Sequence, residues 1–326
     1  MRLDNQIILG LLPALVFFLV VPLVGAFSVR HRWRLFRKQV MQAYNFPVLD
    51  YSRAHRNDPS RFISVGADSG RMREGAAFFG RLEGIQGETG VWLGSQGISV
   101  MLDLSRAPIF MLPQTAKLDG TLPDTTPRVV MWKEMSALVE GSRFFVAGEL
   151  QRMGSDLTFS SWIDGTEPPL VIMYDCPDSV VLDRAIWTGR QRNEYWNHIT
   201  PVSLIVGFLG QLLWVMRIFE QSRLYALIGV VIALIPVLPL LPPGVLGYYV
   251  YRKMWRRARR IRATRDIVAL RGLRSDKTTE SLWGHSSLQR YNTGASAREI
   301  LAVVLLISGM AVNAYIAALI LAILLR

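Results

Sequence analysis

The chain has 326 residues, a formal net charge of +12 and a hydrophobic content of 51%. Its mean hydropathy of +0.25 is too high for an ordinary pair of soluble domains. A single cysteine excludes an internal disulfide and any cysteine-rich zinc site.

The first predicted element is a transmembrane helix in residues 1–27. Residues 7–27 carry no charge, and about 20 apolar residues suffice for a helix to cross the hydrocarbon core of a bilayer. The small residues before Phe27 would also suit a signal peptidase. Because a basic block follows at once and resists translocation, a retained anchor is the favoured interpretation.

Residues 28–60 form a basic juxtamembrane segment and a connection. Positions 28–42 contain five basic residues and no acidic residue. From Gln42 to Ser60 the chain is polar and interrupted by proline, which predicts irregular structure.

A β-rich domain with a C-terminal helix is predicted for residues 61–198. Between Arg61 and Asp175, seven short runs are rich in β-branched and aromatic residues and are separated by Gly, Pro, Asp and Ser. They predict a small antiparallel barrel or sandwich. Gly154 would occupy the tight turn of one hairpin. The following helix would start with Asp178 or Ser179 as its N-cap and run into the second span.

The segment that includes "WKEMSALVEGSRFFVAGEL" and "PLVIMYDCPDSVVLDRAIWTGRQ" resembles the carboxyl half of the GIDE-type domain of membrane-anchored E3 ubiquitin ligases. The matching positions are Glu134, Gly141, Val146, Gly148 and Glu149. The resemblance implies an OB-like β-fold held at a membrane between two spans. Those ligases also carry a zinc-binding RING after the last span, and this chain departs from them because Cys176 is its only cysteine.

Two further spans are predicted in residues 199–250 and a fourth in residues 299–326. Their apolar cores are residues 199–216, 224–250 and 300–325, and they contain no ionisable residue at depth. Prolines between 236 and 243 interrupt the third span, which indicates either a kinked packing helix or a binding site. In the fourth span, small and polar side chains predict a helix-packing stripe: Ser308, Asn313, Ala314, Ala318 and Ala322.

The basic segment 251–298 holds thirteen basic and three acidic residues. Basic residues beside spans are retained on the cytoplasmic side. They predict that the amino terminus lies outside, that residues 28–198 and 251–298 lie inside, and that the carboxyl terminus lies outside. The chain is therefore expected to be integral to a membrane, the bacterial cytoplasmic (inner) membrane, with its β-domain on the cytoplasmic side.

The start of this basic segment has the pattern of an amphipathic helix, with Met254, Ala258, Ile261 and Val268 on one face. Three interpretations remain: a topology signal alone, contact with anionic lipid, or nucleic-acid binding. Nucleic acid is disfavoured because the β-domain that would supply the platform is acidic. The candidate lipid contacts are Arg252, Lys253, Arg256, Arg257, Arg259, Arg260 and Arg262.

Motifs for catalysis or metal binding are not recognisable. His31, His55, His198 and His285 are scattered, with no HExxH sequence, and there is no phosphate-binding GxxxxGK[ST]. Ser69 lies in a "DSG" tripeptide but lacks a histidine partner in a recognisable context, so a turn role is favoured. We assign no catalytic residue, metal or cofactor.

The sequence thus predicts an α+β membrane protein with four transmembrane helices and a small antiparallel, OB-like β-domain between spans one and two. The favoured function is a non-enzymatic membrane scaffold or assembly protein whose β-domain contacts a protein partner or which forms a homo-oligomer. One alternative is a transporter or channel component built on the third span. The other is a membrane enzyme with an unrecognised site.

Overall fold

The computed structural model describes residues 10–50, 75–113, 125–135, 139–153, 156–162, 167–191, 194, 196–274 and 281–324. The chain divides into two compact units. One, called here the helical unit, comprises residues 1–33, 193–265 and 285–326, and the other, the β unit, comprises residues 34–192 and 266–284. The predictions on His55, Ser69 and Gly154 fall outside the described residues, as does the side chain of His285.

In the part of the helical unit that the structure describes there are five α-helices. Helix α1 spans Gly10–Ala43 and contains a π-helical stretch at Val16–Val20. Its apolar part is in the helical unit, and its last turns belong to the β unit. The others follow a helix of the β unit, α2 (Val181–Gly189), and their bounds are α3 Ile199–Ile218, α4 Arg223–Ala233, α5 Gly244–Arg274 and α6 Ser281–Leu324.

Within the described residues, three helices are long and apolar enough to cross a membrane: α1, α3 and the Gln289–Leu324 part of α6. This finding is compatible with an integral membrane protein. The third predicted span, residues 224–250, is not one continuous helix. Helix α4 ends at Ala233, a short 3₁₀ turn occupies Leu238–Leu240, and α5 begins only at Gly244. Prolines cause this break because they lack the N–H that a helix interior requires.

The described β unit contains eight strands that form one sheet, which makes the fold α+β as predicted. Their bounds are β1 Gly75–Gln86, β2 Gly90–Ser95, β3 Ile98–Asp103, β4 Pro108–Met111, β5 Arg128–Met131, β6 Arg143–Met153, β7 Asp156–Ser161 and β8 Leu170–Tyr174. Each predicted run contains a strand. One run contains two, because Gln96 and Gly97 take positive φ values and turn the chain between β2 and β3.

Five of these strands close into a ring. Strand β1 pairs with β2, β2 with β3, β3 with β7, β7 with β6, and β6 returns to β1. The same sheet continues beyond the ring: β8 also pairs with β6, β4 pairs with β8, and β5 pairs with β4 at the edge. The predicted antiparallel pairing holds only in part, since β3 pairs with β7 in parallel and β4 pairs with β8 in parallel. Both pairs join strands distant in sequence, which short-range patterns do not specify.

The ring encloses the main core of the β unit. Inward-facing side chains alternate along the strands with outward ones, as a half-buried sheet requires. The fully buried members include Phe78, Val91, Val100, Phe144 and Phe159. Leu49 joins this core from the segment after α1, where its N–H bonds the carbonyl of Ala77 at 2.8 Å.

The link from β8 to the second span differs from the prediction. Neither Asp178 nor Ser179 caps α2: Val180 precedes the helix, and no side chain caps it. The Asp178 carboxylate instead accepts a hydrogen bond from the Tyr174 hydroxyl. Helix α2 also ends at Gly189, so it does not continue into α3.

Candidate functional site

Among the described residues, no group of three or more His, Cys, Asp or Glu side chains is placed to hold a metal ion. His31 and His198 are exposed. Cys176 is a buried free thiol. The features that remain are the polar contacts inside the helical unit, the basic part of α5, and the surface of the β unit.

Asn313 is the central polar residue of α6. It is buried, and its side-chain amide donates to the carbonyl oxygen of Leu238 at 2.6 Å and to that of Leu241 at 2.8 Å. Both carbonyls belong to the break between α4 and α5. Each also accepts a backbone N–H, from Leu241 and Val245 respectively, so Asn313 adds a second hydrogen bond to each. The break is therefore fastened to α6.

Small residues allow α5 to approach α6 closely at the same level. A Cβ atom placed on Gly309 would lie 3.6 Å from the Cα atom of Gly244 and 3.7 Å from that of Gly247. The packing face of α6 thus runs through Ala302, Gly309 and Asn313. Of the predicted stripe, Asn313 is buried and Ala314 and Ala318 are half-buried. Ser308 and Ala322 are exposed, so the structure does not bring them to this contact.

Polar side chains of helix α3 likewise donate hydrogen bonds to backbone carbonyls of α1. The Ser203 hydroxyl donates to the carbonyl of Phe17 at 2.5 Å, within the π-helical stretch, and the Gln211 amide donates to the carbonyl of Gly10. Gly207 lies between them, and a Cβ there would overlap Phe18. Thr200, Ser203, Gly207 and Gln211 form one buried stripe at helical spacing. The sequence prediction missed these residues, although their three- and four-residue spacing was visible.

The basic part of α5 separates into two faces. Arg252, Lys253, Arg256, Arg257 and Arg260 are exposed. Arg259 is buried and lies over the ring of Trp255, 5.4 Å from its centroid. Arg262 donates to Glu299 of α6 at 2.7 Å. Two of the seven candidate lipid contacts therefore point into the protein.

The predicted apolar face of α5 is partly covered. Ala258 is buried, Met254 and Ile261 are half-buried, and Val268 is exposed. A helix lying flat on a leaflet would present its apolar face to the lipid. Of these four residues only Val268 is fully exposed, so the structure does not present the whole predicted apolar face to a lipid leaflet.

In the β unit, arginine pairs tie α2 to the end of α5. Arg190 donates to the buried carboxylate of Asp266 at 2.7 Å. Arg271 donates to Asp183 at 2.7 Å, and this hydrogen bond raises the pKa of the Arg271 guanidinium. Arg37, near the end of α1, donates to the carbonyl of Gly189. These contacts hold three helix segments together around the sheet.

A second polar cluster lies where β8 meets α2. Burial raises the pKa of the Tyr174 hydroxyl above its ordinary value of 10.0, and the hydrogen bond to Asp178 at 2.7 Å raises it further. The buried guanidinium of Arg184 donates to Asp175 at 3.1 Å and to the carbonyl of Pro113. The cluster fixes the chain's exit from the sheet, which is a structural role.

The outer surface of the ring carries an open groove of about 560 Å³. Arg81, Glu83 and Glu140 supply its charges, and the turn at residues 94–97 forms one side. Glu83 reaches across Gly94 and accepts a hydrogen bond from Ser99 at 2.7 Å. Elsewhere on the described β unit, Val139 and Ile85 are the most exposed large apolar side chains, at 75% and 56%. The groove is open and polar, unlike the concave and mostly apolar pockets that bind small molecules.

Comparison with known proteins adds no relative. No protein-family model matches the chain, and no match was found among curated proteins or among solved structures.

Proposed function

We propose that this protein is a non-enzymatic membrane scaffold or assembly protein that presents its β unit to a protein partner. It would be integral to a bacterial cytoplasmic membrane. Four spans would cross the bilayer, the third formed by α4, the proline break and the start of α5. This count adds one span to the three helices that meet the length and hydropathy requirement.

The observation that carries the proposal is that the polar side chains buried among the apolar helices form hydrogen bonds between segments of the protein. Ser203, Gln211 and Asn313 each donate to a backbone carbonyl of another segment. Intramembrane polar groups in transporters instead face a substrate pathway. Here they fasten helices together, which supports a packed anchor over the transporter alternative.

An OB-like fold for the β unit is part of the proposal. The pairing order of the ring, β1-β2-β3-β7-β6 and back to β1, matches a five-stranded Greek-key barrel. The fold expected from the GIDE-type resemblance is of this kind. Of the matching positions, Gly141 lies in a turn with a φ of 83°, and Gly148 and Glu149 lie on β6. With Cys176 as the only cysteine, a RING-type ligase activity is not proposed.

The distribution of charge supports a cytoplasmic placement of the β unit. The exposed arginines of α5 and the basic turns of α1 lie next to apolar helix segments, where they oppose translocation. The β unit begins at Arg34, within the basic turns of α1, so it would share their side of the membrane.

Purification of the full-length protein in mild detergent tests the scaffold role. A partner present in stoichiometric amount should be lost on Val139→Glu or Ile85→Glu, which place charge on the exposed apolar positions of the β unit. Arg106→Glu, at another exposed position, is the matched control and should retain the partner. Co-purification of a partner that all three variants retain would locate docking elsewhere, and a monomer that binds only a small molecule would contradict the proposal.

A further inference from the structure

One exposed face of α5 changes from apolar to cationic along the helix axis. Val245, Leu246 and Tyr249 are exposed near its start, Leu246 by 69% and Tyr249 by 62%. Arg252, Lys253, Arg256 and Arg257 are exposed in the next two turns. No acidic residue occurs between Gly244 and Arg265.

These seven residues lie on the same side of the helix. With 3.6 residues per turn, their directions fall within an arc of about 140°. Gly247, Ala258 and Arg262 point to the opposite side, where the helix packs against α6. The apolar and cationic residues thus form one continuous outer strip.

The strip is about as long as one leaflet of the bilayer's hydrocarbon core is thick. Leu246 and Arg256 are ten residues apart, which is about 15 Å along a helix, and half of the hydrocarbon core is also about 15 Å. Glu299, which contacts Arg262, is the last charged residue before the apolar run of α6 begins at Ile300. Arg262 is therefore at the level where the apolar part of α6 begins, and Arg257 precedes it by five residues, about 7.5 Å along the helix. Gly247, on the other side of the cationic residues, lies beside Leu305 and Gly309, so the cationic part of the strip runs alongside the first turns of that apolar run.

We propose that this strip binds an anionic phospholipid. The acyl chains would lie along Val245, Leu246 and Tyr249, and the headgroup phosphate would contact Arg252, Lys253, Arg256 and Arg257. Charge complementarity selects the anionic headgroup, since each basic side chain near a membrane surface attracts it. The adjoining apolar residues favour a lipid over a soluble phosphate or RNA, because neither of these has an acyl chain that could cover the apolar side chains.

This inference rests on the membrane placement proposed above but not on partner docking. Loss of a protein partner in the Val139→Glu variant would leave lipid binding unchanged. Failure of lipid binding would equally leave the scaffold role standing. The two proposals can thus fail separately.

Native mass spectrometry tests the lipid-binding proposal. The full-length protein in dodecylmaltoside is titrated with phosphatidylglycerol or with phosphatidylcholine of the same acyl chains. Phosphatidylglycerol should bind more tightly. The triple variant Lys253→Gln, Arg256→Gln, Arg257→Gln should weaken its binding about 100-fold, since three surface charges are removed. The matched control Arg106→Gln, Arg128→Gln, Lys133→Gln removes the same charge from exposed positions of the β unit and should bind as the wild type does.

Equal affinity for the two lipids, or equal loss in both triple variants, would overturn the proposal. So would full displacement of phosphatidylglycerol by glycerol phosphate or by an RNA oligonucleotide, which would identify a soluble occupant. If the first triple variant fails to fold, the salt dependence of phosphatidylglycerol binding by the wild type still tests the proposal. Its binding must fall as salt shortens the screening length from about 10 Å to about 3 Å, and the Leu246→Ser variant must bind phosphatidylglycerol several-fold more weakly.

Discussion

The side-chain amide nitrogen of Asn313 lies 2.6 Å from the carbonyl oxygen of Leu238, and this contact joins α6 to the proline break in the third apolar segment. A second bond from the same nitrogen reaches Leu241 at 2.8 Å. Gly244 lies beside this amide, where a Cβ would overlap it. The break is thus a defined structure with a specific donor on a neighbouring helix.

Replacing Asn313 by leucine should destabilise the helical unit. Hydrogen bonds between transmembrane helices contribute about 1 kcal/mol on average, and a methyl group of the nearly isosteric leucine would take the place of the donor nitrogen beside Gly244. We expect a lower melting temperature for the detergent-purified protein. Ser308→Ala removes an exposed polar group of the same helix and should leave the melting temperature unchanged. Equal effects of the two substitutions would show that the Asn313 contacts carry no stability.

The proposed topology predicts where a reporter active only in the cytoplasm will function. Insertions near Gly154 or near Ser286 should be active, and insertions at Gln221 or after Arg326 should be silent, because basic segments stay inside. Gln221 lies in the short turn between α3 and α4. Activity at Gln221 together with silence at Gly154 would mean that the orientation is inverted.

A fragment of residues 44–191 should fold as a β-rich soluble domain, and residues 61–175 should be less stable. The longer fragment retains Leu49, whose backbone bonds Ala77 and whose side chain joins the core. It also retains α2, with the buried side chains of Val181, Ala185 and Ile186. Circular dichroism during urea unfolding measures both fragments. A higher urea midpoint for residues 61–175 would contradict the contribution of these flanking segments.

The sequence located the strands because each run of β-branched and aromatic residues is bounded by turn residues. It did not separate β2 from β3, since the Gln96–Gly97 turn is shorter than the spacing that marks a loop. The parallel pairing of β3 with β7 also escaped prediction. Val100 and Leu157 become partners only after the ring closes, and no local pattern encodes that closure.

Which face of each helix packs against its neighbours was also only partly predictable from the sequence. Asn313 was recognisable as a polar residue in an apolar helix, and in the alanine stripe assigned beside it Ala314 and Ala318 are half-buried and Ala322 is exposed. The face of α6 that packs against α5 runs through Gly309 and Asn313. That face is determined by Gly244 and Gly247 on α5, and a single helix does not reveal where its partner's glycines lie. The same holds for Arg259 and Arg262, which resemble their exposed neighbours in sequence and turn inward because Trp255 and Glu299 are there.

The Tyr174 hydroxyl should make the β unit sensitive to alkaline pH. Its pKa is raised above the ordinary 10.0, first by burial and then by the hydrogen bond to Asp178, so the folded state holds the proton more tightly than the unfolded state. The stabilisation is complete below the unfolded-state pKa and is lost as the pH rises above it. The loss per pH unit approaches about 1.4 kcal/mol.

Tyr174→Phe in the fragment of residues 44–191 removes this ionisation together with the hydrogen bond to Asp178. At pH 8 the variant should be less stable than the wild type by about 1 kcal/mol, the usual contribution of a hydrogen bond. Above pH 10 the difference should shrink and then reverse, because only the wild type must keep a tyrosine protonated in a buried site. Urea unfolding of both proteins between pH 8 and pH 11.5 measures the difference, and a constant value across that range would show that Tyr174 does not control the alkaline stability of the β unit.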